Sequence, residues 1–307
     1  MHHTVIRALW AAALLAGWAR PADALVAVED HLPEFLVAVG SGPRHAMAAY
    51  EAAQARALDP LFYRDRSPEQ KLLFVRQSNG LEVPTRALGQ FALRWRSDLE
   101  SVARRLEPIS GTSGLKVSMW YCLDPRPWVY VPGENGAVLA LNARHLLPYH
   151  PTRTKMAFAK AFLDAMASQG PEETAEALTL SRRLQLEGLK LAMAERAVPG
   201  RPWNEYLDTP PSHFSGWHHA SRAMAHSLLQ ALDSPESAIH TQRFFGSGFG
   251  TPWPPGAGRY LAFVMAASAT RSYPPAELAR MPSRDYMFLV RPVLEDMADH
   301  PPIGYAH

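Results

Sequence analysis

The architecture is narrowed first by three β-type runs, Leu115–Leu123, Trp128–Val131 and Ala137–Asn142. They are separated by Asp124-Pro125-Arg126-Pro127 and Pro132-Gly133-Glu134-Asn135-Gly136, and long stretches of helical periodicity flank them on both sides. Proline- and glycine-rich connectors of this kind predict a small antiparallel meander. Ahead of it, Val28 to about Ile109 has a helical pattern; Thr85–Leu106 sets Leu88, Phe91, Ala92, Trp95 and Leu99 near a period of 3.6. Beyond Pro151 the helical pattern returns over about 153–169, 172–197, 216–232, 256–271 and 284–298. The expected fold class is therefore α+β, mainly helical with a small antiparallel sheet. No internal repeat or low-complexity segment interrupts it.

Charge excludes several function classes. In 307 residues, 31 Lys+Arg face 29 Asp+Glu, so no field of one sign would recruit nucleic acid or an acidic membrane surface. The basic set is mostly arginine, with lysine only at Lys71, Lys116, Lys155, Lys160 and Lys190. Arg94, Arg96, Arg104 and Arg105 share one helical stretch and fit a solvated face better than a nucleic-acid interface. The single cysteine, Cys122, excludes an intramolecular disulfide framework and any Cys-rich metal cluster. It lies inside the apolar run Val117–Leu123, where a core residue is expected rather than a nucleophile.

Met1–Ala24 has the form of an export signal: Arg7 and two histidines, the apolar Ala8–Ala19, then Ala22-Asp23-Ala24 as a cleavage site that would leave Leu25 as the N-terminus. The apolar run is too short for a permanent span, and no later stretch stays apolar long enough. A periplasmic or secreted protein is therefore expected. Three regions are expected: a signal peptide at 1–24, an N-terminal helical region at 25–110 and a further domain at 111–307.

The chemistry-bearing stretch is Leu186-Glu187-Gly188-Leu189, inside a helical pattern that closes at Pro199-Gly200. A mid-helix glycine costs about 1 kcal/mol relative to alanine and is kept where another backbone comes close, here expected to be that of a helix over Thr152–Ser168. A carboxylate flanked by Leu184, Leu186, Leu189 and Leu191 either faces solvent or needs a cation, which a metal or a basic side chain supplies. No G-x-S-x-G elbow and no phosphate-cradling loop is found, and Gly246-Ser247-Gly248 reads as a plain turn.

Leu186–Leu189 with Pro199-Gly200 resembles the glutamate helix of a bacterial family of secreted zinc metallopeptidases of the gluzincin type. Trp253–Ala262, with Pro254-Pro255, Gly256 and Gly258-Arg259-Tyr260, is similar to a second motif of that family, which carries Gly-Tyr-Tyr there. Between them, Leu232-Asp233-Ser234 and Phe244-Phe245-Gly246 agree in order, so that the resemblance covers about residues 115–298. It implies a gluzincin-like helical core in 111–307 and a zinc-binding H-E-x-x-H helix upstream of Glu187.

That helix is Thr152–Ser168, and it contains neither histidine nor glutamate. The most natural register sets Lys160-Ala161-Phe162-Leu163-Asp164 on the motif. Lys160 and Asp164 then stand for the histidines and Ala161 for the general base, Arg259 replaces one tyrosine, and Glu187 and Tyr260 are retained, Glu187 as the residual metal candidate. The resemblance thus implies a degenerate member, with no catalytic residue and no cofactor expected: an exported, non-catalytic protein that binds peptide, or a cell-envelope protein, in a residual cleft. A cation should then meet Glu187, with Lys160 as first candidate and Arg259 as second. The alternative is an active zinc-dependent peptidase with relocated ligands such as His213 or His218. His219 and His226 are two turns apart, about 10 Å along a helix and too far to share one zinc; His145 and His150 flank Pro148. A third possibility is an interaction module whose cleft is filled by Phe162, Trp253 and Tyr260.

Overall fold

The computed structural model describes residues 26–40, 46–78, 81–110, 115–132, 137–168, 179–232, 237–246 and 251–300. The expected export signal at 1–24 lies outside them, as does the start of the helix expected from 172. The chain divides into two compact units, one of residues up to 104 with 112–154, the other of 105–111 with 155–307. The strands expected to open the C-terminal domain therefore cluster with the N-terminal helices.

The first unit holds strands β1 (Ala27–Asp30), β2 (Lys116–Trp120), β3 (Trp128–Val131) and β4 (Val138–Asn142), with helices α1 (Leu32–Gly40), α2 (Ala46–Leu58), α3 (Pro68–Ser78), α4 (Thr85–Ser110, whose end belongs to the second unit) and α5 (Ala143–Leu146). The sheet is mixed, not the antiparallel meander expected. Its order is β1-β2-β4-β3, with β1–β2 and β2–β4 parallel and only β3–β4 antiparallel, Val131 lying opposite Val138. The reason is in the burial. β2 and β4 are buried along almost their whole length, as strands covered on both faces are, whereas β1 and β3 are half exposed and form the edges. β1 also corrects the helical expectation from Val28 onward, since four residues at an edge carry too little pattern to be read without their partner, Lys116–Met119.

Asn142 ends β4 and organises the turn into the next helix. It is fully buried, accepts from the backbone N–H groups of Cys122 and Arg144, and donates to the carbonyls of Cys122 and Asp124 at 3.2 and 3.0 Å. It thereby caps α5 and fixes the loop leaving β2. In that loop the Asp124 carboxyl, fully buried, takes hydrogen bonds from Arg126 and Arg66. Burial pushes its pKa up, but the two guanidinium groups outweigh burial and hold it below the usual range. Cys122 is buried at 0% exposure, and burial with nearby Glu51 pushes its thiol well up, as suits a core residue.

Glu51 on α2 carries the clearest pH dependence of this unit. It is 2% exposed; one oxygen accepts from Tyr63 Oη and the other from the Leu123 N–H at 3.2 Å. Burial pushes its pKa from 4.5 to about 7, against the pull of those hydrogen bonds and of Arg144. The folded state therefore binds this proton more tightly than the unfolded chain. The associated stability is full below pH 4.5 and is lost as pH rises through 7, a contribution of about 3 kcal/mol. Glu51→Gln keeps the Leu123 bond and can donate to Tyr63 Oη without a charge. Denaturant titrations are expected to show the variant about 2 kcal/mol more stable than wild type at pH 8 and equal to it near pH 4.5. Equal differences at both pH values would show that Glu51 does not titrate as described.

The second unit is helical: α6 (Pro151–Ala167, from residue 155 onward), α7 (Leu180–Ala197), α8 (Trp203–Tyr206), α9 (Pro211–Leu232), α10 (Ser237–Phe245), α11 (Ala257–Ala269), α12 (Pro275–Arg280) and α13 (Ser283–Asp299). Its core is built on α7 and α11, both buried over most of their length. Gly188 explains their contact: a Cβ there would stand 2.2 Å from the Ala262 carbonyl oxygen. The glycine marks a close approach, as expected, but to α11 and not to α6. Arginines secure the helix ends. Arg105 donates to the Ala197 carbonyl at the end of α7, Arg182 to Ala279 in α12, Arg196 to Thr270 after α11 and Arg222 to Ala298 in α13. Each satisfies a carbonyl that a helix leaves without an internal partner.

Candidate functional site

Five side chains from three helices of the second unit make a charged cluster: Lys160 and Asp164 from α6, Glu187 and Lys190 from α7, and Arg259 from the first turn of α11. On α6, Ala157, Phe158, Ala161, Phe162 and Ala165 face the core, and Lys160 and Asp164, one turn apart, follow the half-exposed margin of that face. Ala161, at the position of the general base in the proposed register, is fully buried. On α7, Glu187 and Lys190 are three residues apart and hence neighbours on the helix surface.

Lys190 is the hub. Its ammonium lies 2.9 Å from Asp164 Oδ1 and 3.4 Å from Glu187 Oε1, tying α6 to α7. Burial pushes its pKa down, but Asp164 and Glu187 outweigh that and raise it, so it stays charged. Arg259 approaches the other oxygen of Glu187, Nε to Oε2, at 3.8 Å. The second cation candidate for Glu187 is thus in place. The first is not: Lys160 donates instead to the carbonyl oxygen of Tyr206, at 3.3 Å. Burial first, and Arg259 second, push Lys160 down to about 8.

Lys190 is the member that sequence reasoning missed. Its signal was available: it stands three residues beyond Glu187, the spacing of an intrahelical ion pair. Asp164 was placed as a degenerate zinc ligand and serves as a carboxylate partner.

The donor set does not suit zinc. Where a metal would have to meet both Asp164 and Glu187, the Lys190 ammonium already meets them, and the other position of the motif presents an amine already committed to a carbonyl. Among the described residues, no three His, Cys, Asp or Glu side chains come close enough to hold one ion. Of the relocated ligands considered, the His218 ring lies 6.5 Å from that of Phe214 and the His213 ring 6.3 Å from that of Trp217, centroid to centroid. His145 Nε2 is 2.8 Å from the Asp124 carbonyl oxygen.

Tyr260, retained in the resemblance, is 2% exposed and packs between Phe214 and Trp217, and burial pushes its hydroxyl up to about 12. Phe162 and Trp253 are buried as well. Arg94 pairs with Asp98 at 3.1 Å, Arg96 lies 3.9 Å from Asp30, and Arg105 holds a helix end, so these arginines have intramolecular partners. Among the described residues no helix is long and apolar enough to cross a membrane. Comparison of the chain with protein-family models, with curated proteins and with solved structures finds no match.

Proposed function

We propose that the chain is an exported, non-catalytic protein built on a degenerate gluzincin-like peptidase core, periplasmic or secreted, and that it binds peptide beside the charged cluster of α6, α7 and α11. The observation that carries this is the Lys190 ammonium between Asp164 and Glu187: a fixed internal cation serves the two carboxylates that a metal would otherwise bridge. The half-exposed rim of that cluster supports a binding role. A second reading, a closed interaction module, is favoured by the burial of Phe162, Trp253 and Tyr260.

Expression with the native N-terminus tests the export and catalytic parts together. The exported form should begin at Leu25 or within a residue or two, contain no stoichiometric zinc after purification, and leave a generic peptide substrate uncut with or without added zinc. Intact Met1 on a cytosolic product would remove export. Stoichiometric zinc with hydrolysis abolished by a chelator would establish the active-peptidase alternative using ligands such as His213 or His218 with Glu187. Capture of peptide by the metal-free protein separates the binding reading from the closed module.

A further inference from the structure

The charged groups of the cluster are unevenly paired. Lys190 meets both Asp164 and Glu187, and Arg259 approaches Glu187, whereas the Lys160 ammonium meets neither of these carboxylates. Among the described residues no carboxylate lies within 4 Å of it, and its ammonium, able to donate three hydrogen bonds, is given one acceptor, the Tyr206 carbonyl. Asp208, exposed after α8, and Glu187 both act on it without direct contact, Asp208 the more strongly. Arg259 has a related deficit: its Nε is screened from water but has no hydrogen-bond acceptor, since the 3.8 Å approach to Glu187 is too long to be one. The cluster is nonetheless open at its edge, the side chains of Asp164, Glu187 and Arg259 remaining 26%, 28% and 33% exposed. α11, which carries Arg259, also begins without a side-chain cap.

Resting on the peptide-binding reading above, we propose that Lys160 and Arg259 together bind a carboxylate, that of a peptide's free C-terminus. A carboxylate offers what both groups lack: acceptors for the ammonium hydrogens, a planar pair of oxygens for the guanidinium fork, and a negative charge in direct contact with an ammonium that meets no carboxylate. Neutral polar ligands supply the acceptors without the charge, and phosphate would bring a second negative charge towards Glu187 and Asp164. Lys160 is pushed down to about 8, so the site keeps both its cations at neutral pH and loses one in mild alkali. Small carboxylates share this chemistry and provide the control.

The test uses the full chain and an N-acetylated random-sequence hexapeptide mixture, made once as free acids and once as C-terminal amides, with sodium acetate as the small carboxylate. Free acids should be retained at least about tenfold more tightly than amides, the worth of one charge-assisted hydrogen-bonded pair. Retention should weaken several-fold between pH 7 and pH 9.5. Lys160→Met and Arg259→Gln should each abolish the preference. Arg259→Lys, which keeps the charge and loses the fork, should reduce it, with unchanged circular dichroism showing that the variants are folded. Acids and amides retained equally would overturn this inference and leave the peptide-binding reading standing. Retention of neither peptide set, whether or not acetate is bound, would overturn both.

Discussion

Replacing Gly188 by alanine is expected to cost the second unit about 3 kcal/mol, read as a fall of about 10 °C in its melting temperature. Elsewhere in a helix the same change gains about 1 kcal/mol. Here the new methyl would stand 2.2 Å from the Ala262 carbonyl oxygen, 2.7 Å from its carbonyl carbon and 3.1 Å from Ala266 Cβ. Two of these are backbone atoms that cannot turn aside, so α7 and α11 must separate along the interface at the centre of the unit. Gly89 in α4 is the control, because nothing lies within 4 Å of a Cβ built there, and Gly89→Ala should be neutral or stabilising. If thermal melts show the two variants alike, the α7–α11 approach is not as close as described.

Loss of Lys190 should have the next largest effect. Lys190→Met removes the ammonium from Asp164 and leaves Glu187 with Arg259 alone at 3.8 Å, beside an apolar stem. Removing one partner of a buried pair costs about 3–5 kcal/mol, and the roughly one-quarter exposure of both carboxylates reduces this to about 2 kcal/mol. The discriminating measurement is rescue. In the Lys190→Met background, adding Asp164→Asn with Glu187→Gln should recover most of the loss in denaturant titrations, since the cost lies in uncompensated charge. A triple variant no more stable than the single one would show that Lys190 contributes through packing of its stem.

The long helices were legible in the sequence because their apolar positions repeat locally: α4, α6, α9, α11 and α13 begin and end within a few residues of the pattern apart from the start of α9 at Pro211. The sheet was legible only in part. Apolar content located β2, β3 and β4, but neither the parallel pairing of β2 with β4 nor the joining of β1, nearly ninety positions away in the chain, has a local signature. The candidate site followed the same division. Gly188 announced that a backbone comes close, but not whose, and Glu187 announced a need for a cation, but not its source. Arg259 lies on a distant helix and was indicated by the resemblance, whereas Lys190 carries a local signal, three residues beyond Glu187 on the same helix face.

The arginine-held helix ends have a consequence for how the second unit opens. A helix ordinarily melts from its termini inward, one turn at a time and independently of its neighbours. In this unit a last-turn carbonyl of each of α7, α12 and α13, and the one just past α11, is hooked by a guanidinium rooted in another helix, two of them in α7 itself. Fraying at one end therefore releases a hook that steadies a second helix, and loosening of α7 frees two ends at once. Small, uncorrelated openings become expensive relative to concerted ones, and since a guanidinium stays protonated at any ordinary pH, acidity does not undo the hooks. The helical half should behave as a single all-or-none block, shielded from proteases until the whole of it lets go.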